Sequence, residues 1–212
     1  GVTSPAKLKG RTFGITQPGS SFQYMAYKIA EKEGFDGGDI KVKPLQKVGA
    51  IIGALKSGQI DAWSIVPHIA KGLAKSPNVT IIGKISDYIP DYQVTTIFTS
   101  ADNAANKPDL VKRFLAAFSK GVADFNAALV DKTAGADEAE AMVRLIHKYV
   151  YAERPYEKAA PSIRNGAMRL NQNAKLNLTS VADQLAWFQS EGLISKDITL
   201  EDLVDSSYVE TY

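Results

Sequence analysis

The sequence predicts an α/β fold, because two different patterns follow each other along the chain. In roughly the first ninety residues, short apolar strands alternate with helices of about ten residues, and after Ser100 the pattern is helical only. The chain has 212 residues, of which 45% are hydrophobic and 23% are charged, so it can bury a sizeable core. We therefore expect a parallel-rich sheet in the N-terminal part and helices in the C-terminal part.

The N-terminal elements follow one another as strand and helix. Residues 12–16 predict a strand, and residues 21–33 predict a helix that ends at Gly34. The other predicted elements are strands at 40–45, 60–66, 79–82 and 93–99, and helices at 48–55 and 68–75. Strands separated by helices predict parallel β-α-β units with right-handed crossovers.

Amphipathic helices fill the chain after Ser100. The stretch "NKPDLVKRFLAAFSKGVADFNAAL" has Pro108 and Asp109 in its first turn, and its apolar side chains recur at helical spacing. Two further helices are predicted, one over 137–151 and one that is capped at Thr179 or Ser180 and ends at Gly192.

Two places in this plan carry polar residues where a strand ends, at 19–21 and at 64–68. In parallel sheets, ligands bind beyond the carboxyl ends of the strands, where helix N-termini point. The first N–H groups of a helix lack partners inside the helix and attract negative charge. Ser20 and Ser21 therefore have two interpretations, a helix cap or an anion-binding site, and caps are the commoner of the two.

Composition and charge exclude several classes of protein. Lys and Arg number 25 against 23 Asp and Glu, and a net charge of +2 gives no broad field for nucleic acid or a membrane surface. The chain has no cysteine, which excludes disulfides, thiolate metal sites and cysteine nucleophiles. No apolar run is long enough to span a membrane, and the first residues do not read as a signal segment. We expect either a cytoplasmic protein or one whose targeting segment is absent from this sequence.

Enzymatic signatures are missing, so we expect a protein that is not an enzyme and holds neither a cofactor nor a metal. His68 and His147 are far apart in sequence, and neither has a neighbour at a metal-binding spacing. The turn "GITQPGSS" lacks the lysine of a phosphate-binding loop and the spacing of a dinucleotide-binding fingerprint. There is no Gly-x-Ser-x-Gly elbow.

Four stretches of sequence carry a resemblance to a known family. They are, in order, "LKGRTFGITQPGSS", "GALKSGQIDAWSIVPHIA", "NKPDLVKRFLAAFSKG" and "DQLAWFQSEGLISKDITLEDLVD". Together they resemble the substrate-binding proteins of ABC importers for nitrate, sulfonate, taurine, bicarbonate and pyrimidine precursors, over nearly the whole chain. The resemblance implies a type II periplasmic-binding fold, whose two lobes close over a small solute. It also implies a periplasmic or membrane-anchored extracellular location and a membrane permease as partner.

The resemblance also implies a division of the chain. Residues 7–91 would form the second α/β lobe, 92–100 the return strand through the hinge, and 101–212 the mainly helical part of the first lobe. In this family a further half-lobe precedes "LKG", and this sequence does not contain it. We therefore expect the first lobe to be incomplete and its exposed apolar surface to allow self-association.

The family's known binding residues give roles to several positions. Family members use serines matching Ser20 and Ser21 on ligand oxygens, and the "DAW" motif would place Trp63 over the solute, although a mid-strand aromatic residue is usually core. Asp61 is expected to be a structural carboxylate. Further binding candidates are Gln17, Gly19, His68 and, at the hinge, Tyr92. Residues 65–68 depart from the aromatic and acidic pattern of many relatives, which puts the usual solute in doubt.

The expected function is that of an extracytoplasmic solute-binding component of an ABC importer. Its solute would be a small organic or inorganic anion of the sulfonate, nitrate or carboxylate type. One alternative is a protein that binds a pyrimidine precursor of thiamine. Another is the ligand-sensing effector domain of a transcription regulator, although nothing before Gly10 resembles a DNA-reading motif.

Overall fold

A computed structural model describes all residues of the chain, 1–212, and has an α/β fold. The strands are β1 (Thr12–Ile15) and β2 (Lys41–Pro44). The helices are α1 (Ser21–Lys32), α2 (Val48–Lys56), α3 (Pro67–Leu73), α4 (Ala101–Asn106), α5 (Pro108–Phe125), α6 (Ala136–His147), α7 (Tyr156–Gly166), α8 (Leu178–Ser190) and α9 (Leu200–Leu203). Short 3₁₀ turns occupy Pro5–Leu8, Gly37–Asp39, Ile85–Asp87 and Gln172–Ala174, and α5 continues as a π-helical turn at Asn126–Val130.

The sheet is parallel, as the alternation of strands and helices predicts. Strand β1 pairs with β2 in parallel, with Thr12 opposite Lys41 and Ile15 opposite Pro44, and α1 connects the two strands. Phe13 forms one further parallel bridge with Ala62. The N-terminal part is therefore built from β-α-β units.

Three of the predicted strands are wrong. In 60–66 the pairing is limited to a single bridge at Ala62, and α3 begins at Pro67 directly after this segment. Residues 79–82 and 93–99 form no strand. Their β-favouring side chains are not enough, because a strand needs a neighbour to satisfy its N–H and C=O groups, and Ile81 and Val94 are exposed.

The first of two compact units comprises residues 1–94 and 180–197. One cluster of its core consists of Leu8, Phe13, Ile15, Ala26, Ile29, Ala30, Ile40 and Ala62. A second, under α2, consists of Ile51, Ala54 and Ile60. Gly14 permits this packing, because a Cβ there would lie 2.6 Å from Ile60 Cδ1 and 2.8 Å from Ile51 Cγ2.

In this first unit, residues of α8 pack on α1 through aromatic rings. Trp187 meets Tyr24 and Tyr27 edge to face, each at a centroid distance of 5.4 Å. The Tyr24 hydroxyl donates a hydrogen bond to Asp183, which also pairs with Lys28 at 3.3 Å. These contacts join two helices that lie far apart in the sequence.

The second unit comprises residues 95–179 and 198–212. Its core consists of Ala128, Leu129, Val143, Ala160 and Ile163. Buried Asn126 holds the chain at Leu170 by donating to its carbonyl and accepting from its N–H. None of the helices combines the length and the apolar composition that a membrane span requires.

The two units divide the chain differently from the expected boundaries at 91, 92–100 and 101. Residues 180–197 belong to the first unit, whereas the sequence placed them with the C-terminal helices. The assignment of residues 7–91, 92–100 and 101–212 to the lobes and the hinge of a two-lobed fold therefore stays a prediction.

Candidate functional site

The turn between β1 and α1 supplies the candidate site. Gly19 has a positive φ of 75°, a conformation that glycine adopts without strain. Its N–H donates to Gln23 Oε1 at 2.9 Å, and the Ser20 N–H donates to the Gln17 carbonyl at 3.1 Å. The N–H groups of Ser21 and Phe22, the first two residues of α1, have no partner. The N–H groups of Gly19 and Ser20 are thus hydrogen-bonded within the turn and the helix, whereas the first two N–H groups of α1 have no partner.

Ser20 occupies the cap position of α1 without acting as a cap. Its backbone is extended, with φ −74° and ψ 156°, but its side chain accepts no hydrogen bond from the helix. Its Oγ is buried and has no hydrogen-bond partner. A buried hydroxyl left unpaired costs about 1–3 kcal/mol, so its presence calls for an explanation beyond helix capping.

Trp63 lies beside the first turn of α1. Its ring centroid is 5.7 Å from that of Phe22, and the side chain packs against both core clusters of the first unit. The ring is therefore part of the hydrophobic core, which is the usual role of a mid-strand aromatic residue. Its indole Nε1, however, is buried and has no hydrogen-bond partner. The Trp63 indole N–H is thus a second buried donor of this region, besides the Ser20 hydroxyl, that has no hydrogen-bond partner.

The neighbouring Asp61 has a structural role, as expected. Its carboxylate accepts from the Thr12 N–H at 2.9 Å and from the Thr12 hydroxyl at 2.6 Å. These two hydrogen bonds hold the pKa of Asp61 below its usual value. The pair ties the segment before Trp63 to the beginning of β1.

The other predicted residues lie at several places around the first unit. Gln17 has an exposed side chain. His68 is the second residue of α3 and is half-buried, and burial lowers its pKa and favours the neutral imidazole. Tyr92 packs on Tyr24 with ring centroids 5.3 Å apart, and burial raises its pKa to about 12. Ser21 is half-buried and begins α1.

Sequence reasoning missed two apolar side chains that face the turn. A Cβ on Gly19 would lie 3.6 Å from Phe188 Cε1 and 3.6 Å from Leu193 Cδ1. Both residues belong to the end of α8 and the loop that follows it. They lie about 170 positions away in sequence, and neither carries a local signal of such proximity.

Two surface depressions lie in the second unit. One of about 440 Å³ is lined by Arg169, Leu170, Asn171, Gln172, Lys175 and Tyr212. The other, of about 390 Å³, is lined by Ala128, Leu129, Lys132, Gly135, Ala136, Ala139, Arg164 and Asn165. Neither includes a predicted binding residue, and their cations are partly neutralised: Arg169 pairs with Asp131 and Arg164 with Glu140. The structure contains no group of three or more acidic, histidine or cysteine side chains that could hold a metal ion.

Comparison with known proteins adds a family and a fold. The sequence model of the family described as NMT1/THI5 like matches residues 1–128. Among solved structures, the chain is similar to the periplasmic aliphatic sulphonate binding protein SsuA from Escherichia coli, with a TM-score of 0.67 and 16% sequence identity. The match covers 96% of this chain and 61% of SsuA, so the chain spans less than two thirds of that protein's length. The likeness confirms the predicted α/β fold of the periplasmic-binding type. No curated protein sequence matches the chain.

Proposed function

Since this chain belongs to the NMT1/THI5 like family, we propose that it is a solute-binding protein that works outside the cytoplasm and delivers a small anion to a membrane permease of an ABC importer. The name of its structural neighbour, a periplasmic sulphonate binding protein, supports this role. Both the family match and the neighbour also favour binding over catalysis.

The open donors at the start of α1 would hold the anion. The Ser21 and Phe22 N–H groups lie at the positive end of the helix, where a carboxylate, sulfonate or nitrate is favoured. The Ser20 and Ser21 hydroxyls would add hydrogen bonds, and the Trp63 indole N–H is a further donor. The observation that carries the proposal is the buried, unpartnered Ser20 hydroxyl at this helix end.

The remaining predicted residues would shape the site around these donors. Gly19 would keep the turn free of a side chain, and Gln17 would offer an exposed amide at its rim. His68, whose pKa is lowered by burial, would line the site as an imidazole that favours its neutral form. Tyr92 would anchor the chain where it leaves the first unit, next to Tyr24. Lobe closure about this region would then present a surface to the permease.

A thermal-shift screen tests the proposal. The chain is melted with taurine, alkanesulfonates, nitrate, aromatic carboxylates and pyrimidines, because a ligand that binds the folded state raises the melting temperature. At a concentration of about 100 times Kd, the gain is about 2.7 kcal/mol. We expect a shift with one class of anion and its loss in Ser20→Ala and Ser21→Ala.

The matched control for the serine variants is Ser100→Ala. Ser100 caps α4 by accepting from the Asn103 N–H at 3.2 Å, so its loss changes stability without touching the turn before α1. A shift that survives both serine variants would contradict the anion site. A chain that responds to no solute of the screen, or to pyrimidines only, would contradict the proposed anion transport.

A further inference from the structure

The buried Gln23 side chain holds the turn before α1 from within the helix. Gln23 is the third residue of α1 and is 8% exposed. Its Oε1 accepts a hydrogen bond from the Gly19 N–H at 2.9 Å. The pKa of the Tyr27 hydroxyl is raised by burial and then by Glu191, and a hydrogen bond with the Gln23 side chain opposes this rise. Both ends of the Gln23 amide are therefore engaged, which fixes its orientation.

The stretch "SSFQ", residues 20–23, has the spacing of a capping box but makes neither of its hydrogen bonds. In a capping box, the hydroxyl of the first residue accepts from the N–H of the fourth, and the side chain of the fourth accepts from the N–H of the first. Here the Gln23 N–H donates to the Ser20 carbonyl at 2.9 Å, and the Gln23 side chain binds one residue earlier, at Gly19. The Ser20 hydroxyl is left without a partner.

The displacement of the box follows from the turn that precedes the helix. The Ser20 N–H, which a regular capping box would use, donates instead to the Gln17 carbonyl at 3.1 Å. This bond closes a four-residue turn with Pro18 second and Gly19 third, and Gly19 has a positive φ of 75°, as a type II turn requires. Gln23 therefore binds the Gly19 N–H, which the turn does not use.

Helix α9 shows the regular arrangement in the same chain. Thr199 Oγ1 accepts from the Asp202 N–H at 3.3 Å, and Asp202 Oδ2 accepts from the Thr199 N–H at 2.8 Å. The Thr199 N–H makes no backbone hydrogen bond that would compete. Since the spacing is the same at both helices, the difference lies in the turn before the cap.

We propose that Gln23 is a positioning residue of the candidate site, which keeps the Ser20 hydroxyl and the first N–H groups of α1 available to a ligand. This inference rests on the proposed function, because it takes these groups as the donors to the ligand. Gln23 acts through Gly19 and Ser20, and its role requires no contact with the ligand. Because it keeps the capping box displaced, the donors are in place before the ligand arrives, and such preorganisation raises affinity.

The first test is a double-mutant cycle of stability, which needs no ligand. Gln23→Met keeps the length of the side chain and removes the acceptor of the Gly19 N–H. The turn can then relax, and we expect the Ser20 hydroxyl to form the capping bond that α1 lacks. Ser20→Ala should therefore raise the unfolding equilibrium constant about fivefold in the Gln23→Met background, as the loss of a cap does. In the unmodified chain it should change that constant less than about twofold.

Urea unfolding of the four proteins measures the difference between the two backgrounds. Gln23→Ala removes the same acceptor and should give the same result, so it replaces Gln23→Met if the longer side chain prevents folding. Gln23→Glu retains an acceptor for the Gly19 N–H. In that background the effect of Ser20→Ala should again be less than about twofold.

The second test is the affinity of the same variants for nitrate, methanesulfonate and acetate, measured by titration calorimetry. For the anion that the unmodified chain binds most tightly, Gln23→Met should lower the affinity about tenfold, because the helix now uses the hydroxyl that would bind the charged ligand. Adding Ser20→Ala to Gln23→Met should lower it less than about twofold further, since that hydroxyl is already lost to the ligand.

Gln184→Met is the matched control. Gln184 is a half-buried glutamine of the same unit, and its side chain donates to the Gln93 carbonyl at 3.1 Å and to Ser180, and to no atom of the turn before α1. This variant should lower stability, but it should leave the anion affinities and the effect of Ser20→Ala unchanged.

Two results would overturn the inference and leave the proposed function standing. They are an effect of Ser20→Ala on stability that is equal in the unmodified and Gln23→Met backgrounds, and an anion affinity that Gln23→Met leaves unchanged. Either result would mean that Gln23 does not position the donors. If the unmodified protein binds none of these anions, the proposed function fails, and the inference fails with it whatever the stability cycle shows.

Discussion

Ser20 differs from the residues that cap other helices of this chain. Ser100 and Thr199 precede α4 and α9, and each accepts a hydrogen bond from the N–H three residues later. At α9 the cap is reciprocal, because Asp202 accepts from the Thr199 N–H in return. Ser20 has the same extended backbone as these residues, but its hydroxyl makes no such bond. Its position in the sequence predicts a cap, whereas the direction of the hydroxyl is decided by the turn.

The missing cap bond leads to a prediction about stability. Ser20→Ala should change the free energy of unfolding by less than about 0.5 kcal/mol, because no hydrogen bond is lost and one buried unpaired hydroxyl is removed. Thr199→Ala, which breaks a capping box, should cost about 1 kcal/mol. Urea unfolding of the two variants measures both values. Equal losses would mean that Ser20 caps α1 after all.

Asp61 gives a prediction about pH. The Thr12 hydroxyl, and then the Thr12 N–H, hold the pKa of Asp61 below its usual value of about 4. A depressed carboxyl pKa stabilises the fold above the pKa of the unfolded chain, and this contribution disappears as the pH falls through the lower pKa of the folded state. Asp61→Asn should therefore flatten the loss of stability below about pH 4, as measured by urea unfolding over a series of acid buffers. A dependence as steep as that of the unmodified chain would contradict this role.

At the scale of elements, one tyrosine hydroxyl adds a hydrogen bond to the aromatic and ionic contacts between α1 and α8. Tyr24 is buried, and its hydroxyl donates to Asp183, which lies 159 positions later in the chain. Tyr24→Phe keeps the ring against Trp187 and removes this charge-assisted hydrogen bond, so we expect a loss of about 1.5–3 kcal/mol. Chemical unfolding followed by tryptophan fluorescence measures the loss.

The control for Tyr24→Phe is Tyr208→Phe. Tyr208 donates its hydroxyl to the Ala104 carbonyl in the second unit, where no tryptophan lies. We expect this variant to leave the native fluorescence unchanged and to cost less, because its acceptor carries no charge. An unaltered stability of Tyr24→Phe would show that Lys28 and the aromatic packing suffice to hold the two helices together.

The helices of this chain were predicted from the sequence more accurately than the strands. Helix α1 begins at Ser21 as expected, and Gly34 and Gly192, predicted as stops, follow the helices in positive-φ conformations. Such signals are local, because a helix makes its hydrogen bonds within itself. The segment 93–99 has the β-favouring sequence "QVTTIFT" but forms no strand, because a strand depends on a partner that the local sequence does not specify.

The candidate site shows the same division between local and distant information. Gly19 and the two serines were identified from the turn itself, and the position of Trp63 was suggested by the family motif. Phe188 and Leu193 were not identified, since only the packing of α8 on α1 brings them to Gly19. The open state of the Ser20 hydroxyl and the Trp63 indole also depends on three-dimensional packing.

At the scale of the whole molecule, α5 carries an apolar face that its own unit covers only in part. Val122 is buried on the inner side, whereas Leu110, Phe114 and Phe118 are exposed. These three are spaced four residues apart, so they lie on one side of the helix, and Phe114 is 55% exposed. Patches of this kind commonly mediate contacts between protein molecules. We propose that this face is where two copies of the chain associate.

Self-association through this face would depend on concentration and would be sensitive to charge. Phe114→Glu places a carboxylate in the middle of the face, so burial of the contact would require removing that charge from water. Light scattering coupled to size exclusion should therefore show a mass that rises with the concentration of the unmodified chain and stays at the monomer value in the variant. Leu203→Glu adds the same charge at an exposed leucine of α9 and should leave the association intact. The proposal would be contradicted if the unmodified chain remained monomeric at millimolar concentration, or if Phe114→Glu associated as well as the unmodified chain. Hydrophobic association through this face must increase with protein concentration and must be weakened by a charge at Phe114.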